Sequence, residues 1–440
     1  MQQRSRLRSF PHSVFGLYTV AGFYRGAQNM ALTTLALIIR EDLGYGASTI
    51  GVVSALSGVV LVLVTLLISA RLKPAQLERA VLISLIALAI GLLLIGLSHS
   101  IYLTAIATLL LGAAGGLGMP GLAGSIQLAA SEGSANPQRV LAIYTLVLSV
   151  SLAIGPLLEA GLLDVTHQDV RWPFIAFTVL PILAIGIMMS RRREAIAIAA
   201  KAAASGDAST SQSTPSRRVR LLQTPDVVKA LLAQLMYAVP FAALTVFGAE
   251  VARSTDRATA AQAQLAFTVF FVLSLSCRGL VAWRSPVQRK GLAYLVSGLF
   301  TIAGLALIVA GHSFALFLIG MIVLGIPHGA IFPLALSALS GSLPADQLPR
   351  ANSLLMGSSN FIGIVAPPVL GIVAAATTYR LMMATVLAPV LVVFAVFLIF
   401  AAITRRHSGP TVSQTDPSSL ERSARATSKG LDSGETDPLA

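Results

Sequence analysis

Twelve predominantly apolar runs divide the chain, at 14–38, 48–70, 80–98, 101–129, 139–163, 173–190, 227–249, 262–282, 291–310, 313–338, 351–375 and 382–403. Their lengths approach the roughly 20 residues with which an α-helix crosses a hydrocarbon core of about 30 Å. Within that core no water satisfies backbone N–H and C=O groups, so such runs cross as helices, which pair those groups internally. Only 11% of the 440 residues are charged, against roughly 25% in a soluble globule, and a water-facing enzyme is excluded as the expectation. The first apolar stretch outlasts a signal-peptide core and lacks a small-residue cleavage pattern, so it reads as a retained span.

The net charge of +13 fits nucleic acid, an acidic surface or positively charged cytoplasmic loops, and its distribution decides among them. With the amino terminus inside, only Arg40, Arg171, Arg253, Arg257 and Arg380 fall outside; the reverse topology would expose Arg191, Arg192, Arg193, Arg284, Arg289 and Lys290. Lys and Arg near span ends stay preferentially in the cytoplasm. The charge is therefore an orientation signal, no nucleic-acid partner is expected, and both termini are placed in the cytoplasm. The organisation expected is a cytoplasmic amino terminus (1–13), a six-helix bundle (14–190), a cytoplasmic linker (191–226), a second six-helix bundle (227–403) and a disordered cytoplasmic tail (404–440). Linker and tail are rich in Ser, Thr and charge, a composition that cannot bury a core.

The two sides of the linker resemble each other. Leu117-Gly118-Met119-Pro120 matches Leu324-Gly325-Ile326-Pro327, Gly155-Pro156 matches Ala366-Pro367, and Ser69-Ala70-Arg71 matches Ser276-Cys277-Arg278. Pro137-Gln138-Arg139 corresponds more loosely to Leu348-Pro349-Arg350. Six spans followed by six similar spans is the organisation of a transporter that rocks two halves about a central site.

Three patterns make the chain resemble the major facilitator superfamily from about residue 12 to 404. Gly155-Pro156-Leu157-Leu158-Glu159-Ala160-Gly161 looks like the Gly-Pro signature in span five of the family's exporters, Val170-Arg171-Trp172-Pro173-Phe174 like its aromatic entry to span six, and Gly112-Ala113-Ala114-Gly115-Gly116 like its glycine-rich span four. The resemblance implies an all-α membrane protein in which twelve transmembrane helices form two parallel six-helix repeats, the major facilitator fold. There are departures. Ser69-Ala70-Arg71-Leu72-Lys73-Pro74 keeps an arginine of the family's loop between spans two and three but loses its aspartate, Thr108 stands where drug exporters often carry an arginine, and Glu159-Ala160 replaces paired glycines.

Arg25 lies near the midpoint of the first span, where a charge costs about 2.5 to 3.5 kcal/mol or more. Gln28 and Asn29 follow at i+3 and i+4 on the same helical face, with Tyr18 one to two turns below. One reading is a cationic, hydrogen-bonding wall for an anionic or carboxylate-bearing substrate; the other ties the first span to a neighbour through carbonyls or a carboxylate. His328, between Gly325 and Gly329, is either a proton or substrate ligand with room around its imidazole or a neutral helix-bridging histidine. Glu159, the only acidic residue well inside a span, is either a proton carrier or a structural group reaching the interface, Arg40 or Arg171. Gln234 and Tyr237 share a face of span seven ahead of Pro240, where they contribute either to the cavity or to helix contacts. Gly112 and Gly116 read as small residues that permit close helix approach.

The six histidines lack metal-ligand spacing, Cys277 is the single cysteine, and neither a Gly-x-Ser-x-Gly elbow nor a P-loop occurs. No enzyme, cofactor or metal is expected. What remains is ion-driven secondary transport: a monomer in the plasma membrane exporting a small amphipathic or anionic compound in exchange for protons by alternating access. The alternatives are proton-coupled uptake of an anionic metabolite, and a non-transporting membrane sensor or scaffold.

Overall fold

The computed structural model describes residues 12–132, 137–204, 221–284, 287–344 and 347–407. They are built from α1 (His12–Leu37), α2 (Ala47–Leu67), α3 (Leu77–Leu97), α4 (Ile101–Glu132), α5 (Pro137–Val165), α6 (Trp172–Phe177), α7 (Val179–Ala204), α8 (Pro225–Asp256), α9 (Ala260–Trp283), α10 (Lys290–Ala310), α11 (Phe314–Ser342), α12 (Leu348–Ala376) and α13 (Tyr379–His407), with short 3-10 and π turns between them. Among the described residues, those to Phe397 belong to one compact unit and those from Leu398 onward to a second. The amino-terminal segment to residue 11 and the tail beyond 407 lie outside the described residues.

Among the described residues, eleven segments are long and apolar enough to span a membrane. The twelfth expected span is α1, whose Arg25, Gln28, Asn29, Thr33 and Thr34 lower its hydropathy. Its environment explains why it tolerates them. Leu17, Val20, Ala21, Tyr24, Ala27 and Met30 are all fully buried, so α1 is surrounded by protein rather than lipid. Helices at the periphery show the opposite pattern, with Ile83, Ile86 and Ile90 of α3 or Leu63 and Leu66 of α2 exposed, as a surface solvated by acyl chains requires.

Local chemistry sets several helix ends. Thr259 caps α9 by accepting from the Gln262 N–H (3.1 Å), while Gln262 Oε1 accepts from the Thr259 N–H (2.9 Å), a reciprocal box that satisfies two orphan donors. Pro225 opens α8, where its missing N–H has no intrahelical partner to lose. The sixth expected span is broken at Thr178, because Pro181 cannot donate to the Phe177 carbonyl. The following helix continues to Ala204, so the first part of the expected linker is helical; Pro225 then opens α8 within its last two residues.

The internal repeat is expressed in glycine-mediated packing. A Cβ on Gly112 of α4 would lie 2.3 Å from the Ser57 carbonyl oxygen of α2, and one on Gly325 of α11 would lie 2.6 Å from that of Phe270 of α9. One turn further, Gly116 meets the Leu61 oxygen and Gly329 the Ser274 oxygen, while Gly91 and Gly304 each sit against a leucine, Leu111 and Leu324. Every one of these pairs is separated by 213 positions. The match of Gly118-Met119-Pro120 to Gly325-Ile326-Pro327 is thus six residues out of register. It follows the visible Gly-x-Pro string, whereas packing aligns the backbones that approach most closely.

Candidate functional site

Where α1, α2 and α4 of the first repeat face α8, α9, α11 and α12 of the second, they enclose a cavity of about 500 Å³. Its polar lining includes Arg25 and Gln28 from α1, Gln234 and Tyr237 from α8, Arg278 from α9 and His328 from α11, together with Ser54, Ser57, Thr245, Ser359 and Asn360. Leu32, Leu61, Phe241, Ile331 and Met356 supply apolar walls. No carboxylate lines it among the described residues.

Of the expected site residues, Arg25, Gln28, Gln234, Tyr237 and His328 meet here. Arg25 Nη1 donates to Gln28 Oε1 at 3.2 Å within its own helix. No described carboxylate pairs with it, so it does not tie α1 to a neighbour through an ion pair. Gln234 Nε2 donates to Ser359 Oγ at 2.8 Å, leaving Gln234 Oε1 buried without a partner, as is the Tyr237 hydroxyl. Asn29 is buried, with Nδ2 unpartnered, and is not part of the lining. Tyr18 bonds the Val140 carbonyl at 2.9 Å, a contact between α1 and α5.

His328 faces the cavity through a stack of rings. Its centroid is 4.8 Å from Phe241, 5.0 Å from Phe270 and 5.2 Å from Tyr237, and Nδ1 lies 2.7 Å from Ser274 Oγ. The flanking Gly325 and Gly329 do not make room for the imidazole as expected. Their faces are filled by the α9 backbone, with the Ser274 oxygen 2.2 Å from where a Gly329 Cβ would stand.

Glu159 lies away from the cavity. It is fully buried, and its Oε1 accepts from the Thr34 hydroxyl. Thr34 Oγ1 in turn receives the Gln264 side-chain amide from the second repeat at 3.3 Å. Neither expected arginine approaches it: Arg171 pairs with Asp42 and donates to the Gly96 and Ser98 carbonyls, and Arg40 is exposed.

The contacts joining the repeats concentrate toward the end of the bundle that carries the α1–α2 connection. A Gly51 Cβ would lie 2.2 Å from the Pro367 oxygen, Ser48 Oγ donates to the Gly371 carbonyl (3.4 Å), the Ala261 N–H donates to Gln168 Oε1 (3.0 Å), and Glu41 pairs with Arg253. Burial holds the Glu41 carboxyl above its usual range, against the opposing pull of Arg253. This end is shut.

Sequence reasoning missed Arg278. Its Nη1 donates to Ser149 Oγ of α5 at 3.2 Å, and its Nε is buried without a partner. The string Ser276-Cys277-Arg278 aligned it with Arg71 at a helix end, but the packing register of 213 makes Arg284 the counterpart of Arg71 and gives Arg278 the place of Thr65. Arg278 thus stands in the last turn and a half of α9, before Trp283, yet lines the cavity, a position that the mid-span signal of Arg25 does not reveal.

The sequence profile of the Major Facilitator Superfamily matches residues 17–254 and again 230–430. The chain belongs to this superfamily. Solved members agree in fold: the nucleoside transporter NupG superposes with a TM-score of 0.69 at 14% identity, covering 89% of this chain and 99% of its own. A variant of the peptide transporter POT gives 0.71 at 14% identity, with 90% and 96% covered. A bacterial homologue of the human lysosomal transporter Spinster, in an inward-facing and occupied conformation, gives 0.62 at 11% identity, with 88% and 96% covered. No curated sequence matches the chain significantly. As a superfamily member this is a multi-pass membrane transporter, a class of protein that moves small molecules rather than transforming them.

Proposed function

We propose that the chain is a secondary active transporter that exports a small organic compound bearing an anionic end, in exchange for protons, by alternating access across the plasma membrane. The observation that carries this reading is the cavity between the repeats, which holds guanidinium groups and neutral hydrogen-bonding side chains but no described carboxylate. Arg25 and Gln28 would orient the anionic end. Gln234 and Tyr237, whose free polar atoms face no protein partner, would complete the recognition, and His328 with Phe241 offers an aromatic surface for an apolar body. With the α1–α2 end taken as external, the closed contacts described above correspond to an inward-facing state.

Glu159 is the proton carrier in this reading. An ionised carboxylate at that position would have no counter-charge, since its described partner is a hydroxyl and buried unpaired charge is costly. The hydrogen-bonded chain from Glu159 through Thr34 to Gln264 crosses between the repeats, so a change of charge there acts on their separation. His328, the other candidate, is held at Nδ1 by Ser274 and serves better as a substrate contact.

Two guanidiniums in the cavity also favour proton-coupled uptake of an anion. Everted membrane vesicles with an acid lumen separate the two directions. An antiporting exporter accumulates its compound there, and accumulation that appears only in right-side-out vesicles with acid outside rejects export.

A further inference from the structure

We infer that the cavity is built for a compact organic dianion with a flat apolar body, held between Arg25 of the first repeat and Arg278 of the second. This deepens the transport reading and rests on it, because it takes the cavity as the site of the transported compound.

Three observations converge on two charges rather than one. Both guanidiniums line the same cavity, one from α1 and one from α9. Neither has a described carboxylate partner: Arg25 is met by Gln28 Oε1 and Arg278 by Ser149 Oγ, both neutral acceptors. Two unneutralised cations in a mostly apolar enclosure are costly, and a single anionic group bonded to one of them leaves the other unpaired. Arginine presents its donors as a planar fork matched to carboxylate and phosphate oxygens. The buried, unpartnered Nε of Arg278 is one edge of such a fork left unfilled.

The rest of the lining describes the body between the charges. Tyr237 and Phe241 stack at 5.6 Å, and Phe241 and His328 at 4.8 Å, so one wall is a layered aromatic surface suited to a planar group. The unpartnered Tyr237 hydroxyl and Gln234 Oε1 can bond a further polar substituent. Aromatic dicarboxylates and aryl phosphate monoesters share this chemistry.

Because the two arginines belong to different repeats, such a ligand bridges the moving parts. A monoanion engages one repeat firmly; a dianion engages both and stabilises the state in which they approach.

The test is thermal unfolding of the purified full chain in detergent, titrated with matched probes: benzoate against phthalate, and methyl phenyl phosphate against phenyl phosphate at a pH where the latter is doubly ionised. At least one dianion is expected to raise the unfolding midpoint at concentrations about tenfold or more below its monoanionic partner. Arg278→Gln should erase that advantage while keeping the weaker monoanion effect, and Arg278→Lys should retain part of it, which guards against a variant that merely misfolds. Which dianion acts distinguishes a dicarboxylate from a phosphate ester. Equal titration by mono- and dianions in the unaltered protein overturns the two-charge inference but leaves an anion site standing. No shift with any anion, alongside a shift with neutral benzamide, overturns both.

Discussion

Helices α2 and α9 hold equivalent positions in the two repeats, yet differ in what they turn toward the cavity. Each receives a glycine pair from the helix two places later, Gly112 and Gly116 on α2, Gly325 and Gly329 on α9, with a hypothetical Cβ 2.2 to 2.8 Å from a backbone oxygen in all four cases. At the position one turn beyond Leu61 the first repeat carries Thr65, which bonds its own helix at the Leu61 carbonyl (2.7 Å). The second repeat carries Arg278, which reaches across to Ser149 and into the cavity. Backbone approach is what the repeats share, because close packing of membrane helices depends on small residues at fixed places. Polar chemistry is not shared: the first repeat supplies its cation from α1, the second from α9.

That asymmetry can be broken directly. Arg278→Thr installs the residue of the first repeat, and transport of the anion should fall roughly ten- to hundredfold with unchanged abundance in the membrane. Flux equal to that of the unaltered protein would mean that the repeats are chemically interchangeable at this position. Glu159→Gln tests the interface rather than the cavity. Energised accumulation should be lost while exchange of labelled for unlabelled compound persists, because the neutral amide keeps the Thr34 contact but cannot carry a proton. Loss of both fluxes would make Glu159 structural.

The shared packing predicts a matched pair of smaller effects. Gly112→Ala and Gly329→Ala should each destabilise by about 1–3 kcal/mol, the usual cost of overpacking, read as lowered unfolding midpoints in detergent. A large loss in one and none in the other would show that the 213-residue register does not describe equivalent contacts. Glu41→Gln should change stability by less than about 1 kcal/mol, since desolvation of Glu41 opposes its attraction to Arg253.

The membrane spans and much of the cavity were legible because their causes are local. Apolar length identifies a span, and a lone arginine at mid-span identifies a face that must avoid lipid, which is how Arg25 and Gln28 could be found. Arg278 was hidden by alignment. The string Ser-Cys-Arg pairs it with Arg71 in one register and with Thr65 in another, and only the closeness of Gly329 to Ser274 chooses between them. Asn29 shows the converse limit, since i+4 spacing puts it on the face of Arg25, yet the α1 lining runs from Gln28 to Leu32 and Leu35 without it. The partner of Glu159 is Thr34, 125 positions away, which in turn accepts from Gln264, 230 positions from it; neutral residues joined over such separations leave no pattern in a single sequence.

The central claim is that an anionic compound crosses through this cavity on Arg25. The most direct test follows flux of a labelled anion, chosen by comparing metabolite accumulation in deletion and overexpression strains, into everted vesicles with an acid lumen. The unaltered protein should accumulate the compound, and Arg25→Gln at equal abundance and thermal stability should fall to the background of vesicles lacking the protein. Undiminished accumulation by Arg25→Gln would contradict the account.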